Sequence, residues 1–197
     1  MVFGWGTTGE EATTALAQHI KGKTVIVTGV SPGGLGLETA RVIALRNPKL
    51  IILAGRSKEK LEQAEAEVNK AAPGTAVRQL VLDLGDLKKV RSAAAEVNGW
   101  EDVPSIDVVV NNAGIMATPF ALTGDGIEKQ FGTNHIGHFL FTQLVMGKIL
   151  ESQSPRVVSF ILISLLGVVC FRMGYLYANH CVGQFIEQWV QGWTCPF

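Results

Sequence analysis

"KTVIVTGVSPGGLGLETARVIAL", residues 23–45, is the stretch whose reading decides the fold. It opens as a β-branched apolar run that ends in Thr28-Gly29, closes as a helical stretch, LETARVIAL, and has the turn TGVSPGGLG between the two. The order is strand, glycine-rich turn, helix. In that arrangement the amides of the turn and of the first helical residues converge on one place, where the helix dipole favours a pyrophosphate. Gly29, Gly33, Gly34 and Gly36 are available wherever the turn takes positive φ or a ligand approaches the backbone. The spacing is not Gly-x-Gly-x-x-Gly, because Thr39 stands where the third glycine would fall. A connector without a ligand is therefore the competing reading, and the rest of the chain has to decide between them.

Working outward, the same pattern repeats. Residues 50–55 (LIILAG) form a charge-free strand, residues 57–72 a charged amphipathic helix opened by a serine cap, and residues 76–84 a third strand. A helix over 88–97 and a strand over 106–114 (IDVVVNNAG) follow. Upstream, Thr8 and Glu11 have capping-box spacing and predict a short leading helix to about His19. Downstream, Ile136, Phe139, Leu140 and Leu144 are spaced as one apolar face, which predicts a long helix over 125–150, and a fifth strand should begin at Arg156. Apolar strands alternating with helices imply a parallel sheet covered on both faces. The fold class is α/β, a doubly wound parallel sheet of Rossmann-like type, C-terminally incomplete, in a single domain over 1–197 with an apolar tail over 159–197.

Lysine plus arginine equals aspartate plus glutamate at 17 each, so no net field draws the protein to nucleic acid or to an anionic membrane. The amino terminus lacks the basic-then-apolar order of a secretory signal, which makes a cytoplasmic location the expectation. Cys170, Cys181 and Cys195 have no metal-ligand spacing and read as free thiols. His135 and His138 lie at i and i+3 but have no third ligand motif, so no metal is expected. Position 56, just past the second strand, is where an acidic residue would hold a ribose 2′-hydroxyl; Arg56 stands there instead and can pair with a 2′-phosphate, which favours NADP over NAD. A solvated loop arginine is the bland alternative.

Thr28-Gly29 through Gly36, Asp83 after the third strand, Asn111-Asn112-Ala113-Gly114 after the fourth and Asn134-His135-Ile136-Gly137-His138-Phe139 stand in that order. Together they resemble the short-chain dehydrogenase/reductase family, most closely its retinol-dehydrogenase-like members, over about residues 20–158. The resemblance implies an oxidoreductase that interconverts a secondary alcohol and a ketone on an apolar small molecule. It implies that Gly29, Ser31, Gly34, Leu35 and Gly36 wrap the pyrophosphate, that Arg56 meets the 2′-phosphate, and that Asp83 and Leu84 flank the adenine. Asn112, Ala113 and Gly114 would border the ribose, and Asn134 would kink its helix and hold a water in the proton relay. The turn departs from the family in having four residues, Val30 to Gly33, where three are usual.

The family's chemistry uses a tyrosine whose phenol, with an ordinary pKa of about 10, is brought down by a lysine in Tyr-x-x-x-Lys. Here Tyr175 is followed at that spacing by Asn179, and no lysine follows Lys148. Ser164 fits the family's serine only after a two-residue shift. The resemblance thus names Asn134, Ser164 and Tyr175 as the catalytic set, with a non-catalytic dinucleotide-binding or interaction protein as the alternative. Only Arg172 and Glu187 are charged after Arg156, a change of composition that fits a retained intron or shifted frame, which comparison of transcript with genomic sequence tests. The uncharged run between Arg156 and Arg172 is shorter than the roughly 20 residues a membrane helix needs. It reads first as a buried strand from Val157 to about Ser164, with contact of the tail with a membrane surface and homo-oligomerisation as further alternatives.

Overall fold

The computed structural model describes residues 3–160. Five strands, β1 (Thr24–Thr28), β2 (Leu50–Gly55), β3 (Val77–Val81), β4 (Val108–Asn111) and β5 (Arg156–Ser159), form one sheet in the order β3-β2-β1-β4-β5. Every pairing is parallel, with Ile26 opposite both Ile52 and Val109. The doubly wound sheet read from the sequence is the fold observed.

Strand alternation divides the core in two. Val25, Val27, Ile51, Leu53, Val108 and Val110 point to the face covered by α3 (Leu35–Ala44) and α4 (Lys58–Ala71). Ile26, Ile52, Ala54, Leu80 and Val109 point to the other, covered by α5 (Leu87–Gly99) and α7 (Gly137–Leu144). Since both faces are buried, the central strands read as unbroken apolar runs. β3 lies at an edge and tolerates Arg78, whose guanidinium donates to Asp102 and lies 4.8 Å from the ring centroid of Trp100.

The strands' amino-terminal ends are tied by Asp107. Its Oδ2 accepts from the Thr24 amide at 2.8 Å, and its Oδ1 from Ser152 Oγ at 2.7 Å and Lys23 Nζ at 3.1 Å. Burial pushes this carboxyl up, but the three donors outweigh it and hold the pKa below the ordinary 3.8.

Two expected helices are interrupted. The leading helix is α1 (Gly9–Ala15), with the Thr8/Glu11 capping box formed, and then α2 (Ala17–Ile20), the break falling at Leu16 with φ −107°. The helix expected over 125–150 begins late: Gly126 takes φ +77° in a turn closed by a bridge between Leu122 and Glu128. Glu128 then caps α6 (Lys129–Phe131), a π-helical turn covers Gly132–Ile136, α7 follows, and Val145 separates it from α8 (Met146–Leu150). The buried side of α7 is Gly137, His138, Phe141 and Thr142, whereas Phe139, assigned to the core by spacing, is 61% exposed. Leu140 and Leu144 of the same face are half-buried against the core as the spacing implies, so Phe139 is the departure from it. β5 begins at Arg156 as expected, but the buried strand read from Val157 to about Ser164 is not what forms: β5 ends at Ser159, short of Phe160, and Arg156, Val157 and Ser159 are exposed because β5 is an edge strand of the sheet among the described residues, while 161–164 lie outside them.

Candidate functional site

In a parallel doubly wound sheet the crevice lies beyond the carboxyl ends of the strands, where the connections part to opposite faces. Here that place is between β1 and β4, and it opens into a cavity of about 580 Å³. Four strand ends line it: Thr28 to Ser31 after β1, Arg56 and Ser57 after β2, Leu82 to Gly85 after β3, and Asn112 to Ile115 after β4.

The turn after β1 needs its glycines for two reasons. Gly29 has φ +75°, and a Cβ there would lie 2.6 Å from Ala113 Cα. Gly36 has an ordinary φ, but a Cβ on it would lie 2.6 Å from Gly29 O and even closer to Asn112 Nδ2, so α3 rests directly on the β1 turn and the β4 turn. The Gly34 amide closes the turn on Ser31 O at 2.9 Å. The extra residue of this turn is absorbed at Gly33, with φ +70° and open space around it.

α3 starts with no side-chain cap, whereas Ser57 and Asp86 cap α4 and α5. An uncapped amino terminus leaves backbone donors for an anion, and these residues fit a dinucleotide's pyrophosphate. Of the sequence-derived set, Gly29, Ser31, Leu35, Arg56, Asp83, Leu84, Asn112, Ala113 and Gly114 line the cavity; Gly34 and Gly36 shape its wall from behind.

Asp83 is held in place by its surroundings. Its Oδ1 accepts from the Gly85 amide at 3.2 Å and its Oδ2 from Lys89 Nζ at 3.0 Å, which raises the Lys89 ammonium. Arg56 is exposed, and Ser57 and Lys60 line the same end of the cavity. Neither was read from the sequence as a site residue, Ser57 being taken only as a helix cap. The signal was present, since Lys60 is four residues from Arg56 and falls in the first turn of the helix that Ser57 caps. Thr123, Lys129 and Thr133 complete the far wall without any motif to announce them.

Beneath the β4 turn, the Thr28 hydroxyl is a buried junction. Its oxygen accepts from the amides of Asn112 and Ala113, both at 3.0 Å, and it lies 3.0 Å from His138 Nε2 and 3.3 Å from Val110 O. The Asn112 side chain donates to Thr28 O at 2.8 Å, which locks the β4 turn to β1.

Asn134 lies in the π turn and lines a second, smaller cavity of about 220 Å³ with His135, His138, Phe139 and Ser159. Its side-chain amide pairs with the backbone of Ile115 in both directions, each bond 2.8 Å. An asparagine in a helix competes for backbone groups, and here it wins a distant partner, which accounts for the irregular turn. Its side chain therefore ties down the loop after β4, and the Asn134 backbone carbonyl faces His138 Nδ1 at 3.1 Å. Ser164 and Tyr175 lie outside the described residues. Among the described residues no group of three or more histidine, cysteine, aspartate or glutamate side chains is gathered as for a metal, and no helix is long and apolar enough to cross a membrane.

The model of the short chain dehydrogenase family matches residues 23–188, past Val158, where the motifs alone had placed the end of the likeness. Retinol dehydrogenase 13 from Homo sapiens is 42% identical over 140 residues, 71% of this chain and 41% of that protein. Short-chain dehydrogenase TIC 32 A, chloroplastic, from Brassica napus is 39% identical over 151 residues, 76% of this chain and 45% of that protein. The chain thus spans less than half the length of these relatives. Among solved structures, levodione reductase superposes with a TM-score of 0.62 at 30% identity, covering 82% of this chain and 62% of that one. NAD+-bound xylitol dehydrogenase does so with 0.58 at 28%, covering 71% and 53%.

Proposed function

This chain belongs to the short-chain dehydrogenase family, and on that premise we propose that it holds NADP across the ends of β1, β2 and β4. The family and the fold carry a nicotinamide dinucleotide; the choice of NADP is the finer reading. The observation that carries it is that the polar residues following β2 on the cavity wall are Arg56, Ser57 and Lys60, the carboxylate among the described lining residues being Asp83, which follows β3 and is paired with Lys89. A guanidinium and an ammonium there attract a 2′-phosphate, whereas a carboxylate would favour the bare 2′-hydroxyl. The turn after β1 and the uncapped start of α3 receive the pyrophosphate, Asp83 and Leu84 border the adenine, and Asn112, Ala113 and Gly114 border the ribose.

The chemistry that bound NADP supplies is hydride exchange with carbon, so the proposed reaction interconverts a secondary alcohol and a ketone on an apolar small molecule. Within the described residues the chain's part is to bind and orient. Asn134, placed in the catalytic set by family likeness, does so here by fixing the loop after β4. Fluorescence titration with NADPH, followed by NADPH oxidation with a panel of ketones, tests the reading. Saturable binding with turnover supports it, and absence of binding removes it.

A second reading has its own observation: no lysine follows Lys148, and Asn179 stands where the cation that lowers the Tyr175 phenol would be. On that reading the chain binds the dinucleotide without turnover. Binding unaccompanied by NADPH oxidation selects it.

A further inference from the structure

We infer that His138 is a positioning residue for the dinucleotide: as the Nδ1–H tautomer it accepts a hydrogen bond from the Thr28 hydroxyl and so commits both lone pairs of that hydroxyl to the rim of the cavity. The inference rests on the cofactor reading above and adds to it a residue that touches no cofactor.

Hydrogen-bond stoichiometry carries the argument. Asn134 O can only accept, so the 3.1 Å contact requires a proton on His138 Nδ1. In the neutral ring Nε2 is then a bare acceptor, 3.0 Å from Thr28 Oγ1. That hydroxyl has one proton and two lone pairs, and the amides of Asn112 and Ala113 occupy both lone pairs. Its proton goes to Nε2 rather than to the more distant Val110 O. The Thr28 hydroxyl is then fully used, with the Asn112 amide shared between it and Val110 O, each at 3.0 Å.

An imidazolium has no place in this arrangement. It would present a second N–H at Nε2 to an oxygen with no lone pair left, and either the Asn112 or the Ala113 amide would have to let go. Both residues line the dinucleotide cavity, so the strain reaches the rim directly. Burial acts in the same sense, lowering the His138 pKa from its ordinary 6.5 against the opposing pull of the Asn134 carbonyl, with help from the nearby His135. The other ionisable groups on the neighbouring elements are Lys88, Lys89, Arg91 and Glu96 of α5 and Arg156 of β5, all exposed, and β1 and β4 carry none.

The test uses the full chain. Calorimetric titrations with oxidised NADP and with oxidised NAD are run from pH 8 to pH 5, because a 2′-phosphate titrates near pH 6 and NAD lacks it. Both dissociation constants should stay level down to about pH 6.5 and then rise about 5- to 10-fold, the loss expected for one rim hydrogen bond. His138→Gln keeps an acceptor for Thr28 but cannot titrate, so it should hold wild-type affinity at pH 8 and abolish the acid loss; His135→Gln should retain that loss. Imidazole nitrogen NMR of the wild-type chain reads the tautomer whether or not the variant folds. A proton on Nε2 at pH 8, an acid loss that H138Q keeps, or one that H135Q abolishes overturns the inference while leaving cofactor binding standing. Failure of either dinucleotide to bind at pH 8 overturns the function reading, and this inference with it.

Discussion

Gly36→Ala sets two effects of opposite sign against each other. Gly36 lies in the first turn of α3 with an ordinary φ, so helix propensity alone favours alanine by about 1 kcal/mol. The structure predicts the reverse. The added Cβ would press on Gly29 O at 2.6 Å and, closer still, on Asn112 Nδ2, both within a fixed turn. Relief requires α3 to move off the sheet or the Asn112 side chain to give up Thr28 O. Overpacking of this kind costs about 1–3 kcal/mol, and a forfeited hydrogen bond about 1 more. The net expectation is a loss of about 1–3 kcal/mol, seen in equilibrium urea unfolding as a midpoint lower by roughly 0.5–1.5 M at unchanged slope. Gly147→Ala is the control: Gly147 is exposed in α8 with nothing within 4 Å of its would-be Cβ, so propensity acts alone and the midpoint should rise. A Gly36→Ala chain as stable as Gly147→Ala would refute the close approach of helix, phosphate turn and β4 turn.

Other predictions concern the remaining supports of the site. Asp107→Asn should destabilise the fold at pH 7 by about 2 kcal/mol, since a charged acceptor loses its hold on Thr24, Ser152 and Lys23. The folded pKa of Asp107 is depressed, so its contribution is present above the unfolded value near 3.8 and lost as pH falls through the folded one; the gap between wild type and variant should close in acid unfolding curves. Asn134→Ala breaks two hydrogen bonds to Ile115 and should speed amide exchange in the loop after β4 at a stability loss of about 1–2 kcal/mol. Arg56→Ala should weaken NADP about 10-fold and leave NAD within about twofold in parallel titrations, because only the phosphate partner is removed.

What the sequence disclosed and what it withheld divide along physical lines. β1, β2 and β4 were legible because strands buried on both faces must be apolar throughout, and the phosphate turn because glycines between a strand and a helix have few other uses. The start of β5 at Arg156 was legible too, but not the burial that rule implies, since Arg156, Val157 and Ser159 are exposed at the sheet's edge. The segment after Gly114 was misread because periodicity registers hydrophobicity and not hydrogen bonding. Nothing in the spacing of Ile136, Phe139 and Leu140 reports that Asn134 reaches back to Ile115, or that Gly137 lies so near Leu84 O that a side chain is excluded. Asn134 lies in the π turn, and the buried residues of α7 include His138 and Phe141, with Leu140 and Leu144 half-buried beside them. Arg56 was found by its position after β2, whereas Lys60, one helical turn further on, was passed over although its spacing from Arg56 put it beside the same cavity. The Thr28 and His138 junction joins residues far apart in sequence and has no local signature at all.

The most direct test isolates the adenosine half of the ligand, where Arg56 and Lys60 act. Calorimetric dissociation constants of the full chain for 2′,5′-ADP and for 5′-AMP differ only through the 2′-phosphate. A preference for 2′,5′-ADP of about 10- to 100-fold, reduced about 10-fold in the Arg56→Ala chain, is the predicted result. Equal affinity for the two, or tighter binding of 5′-AMP, would contradict it.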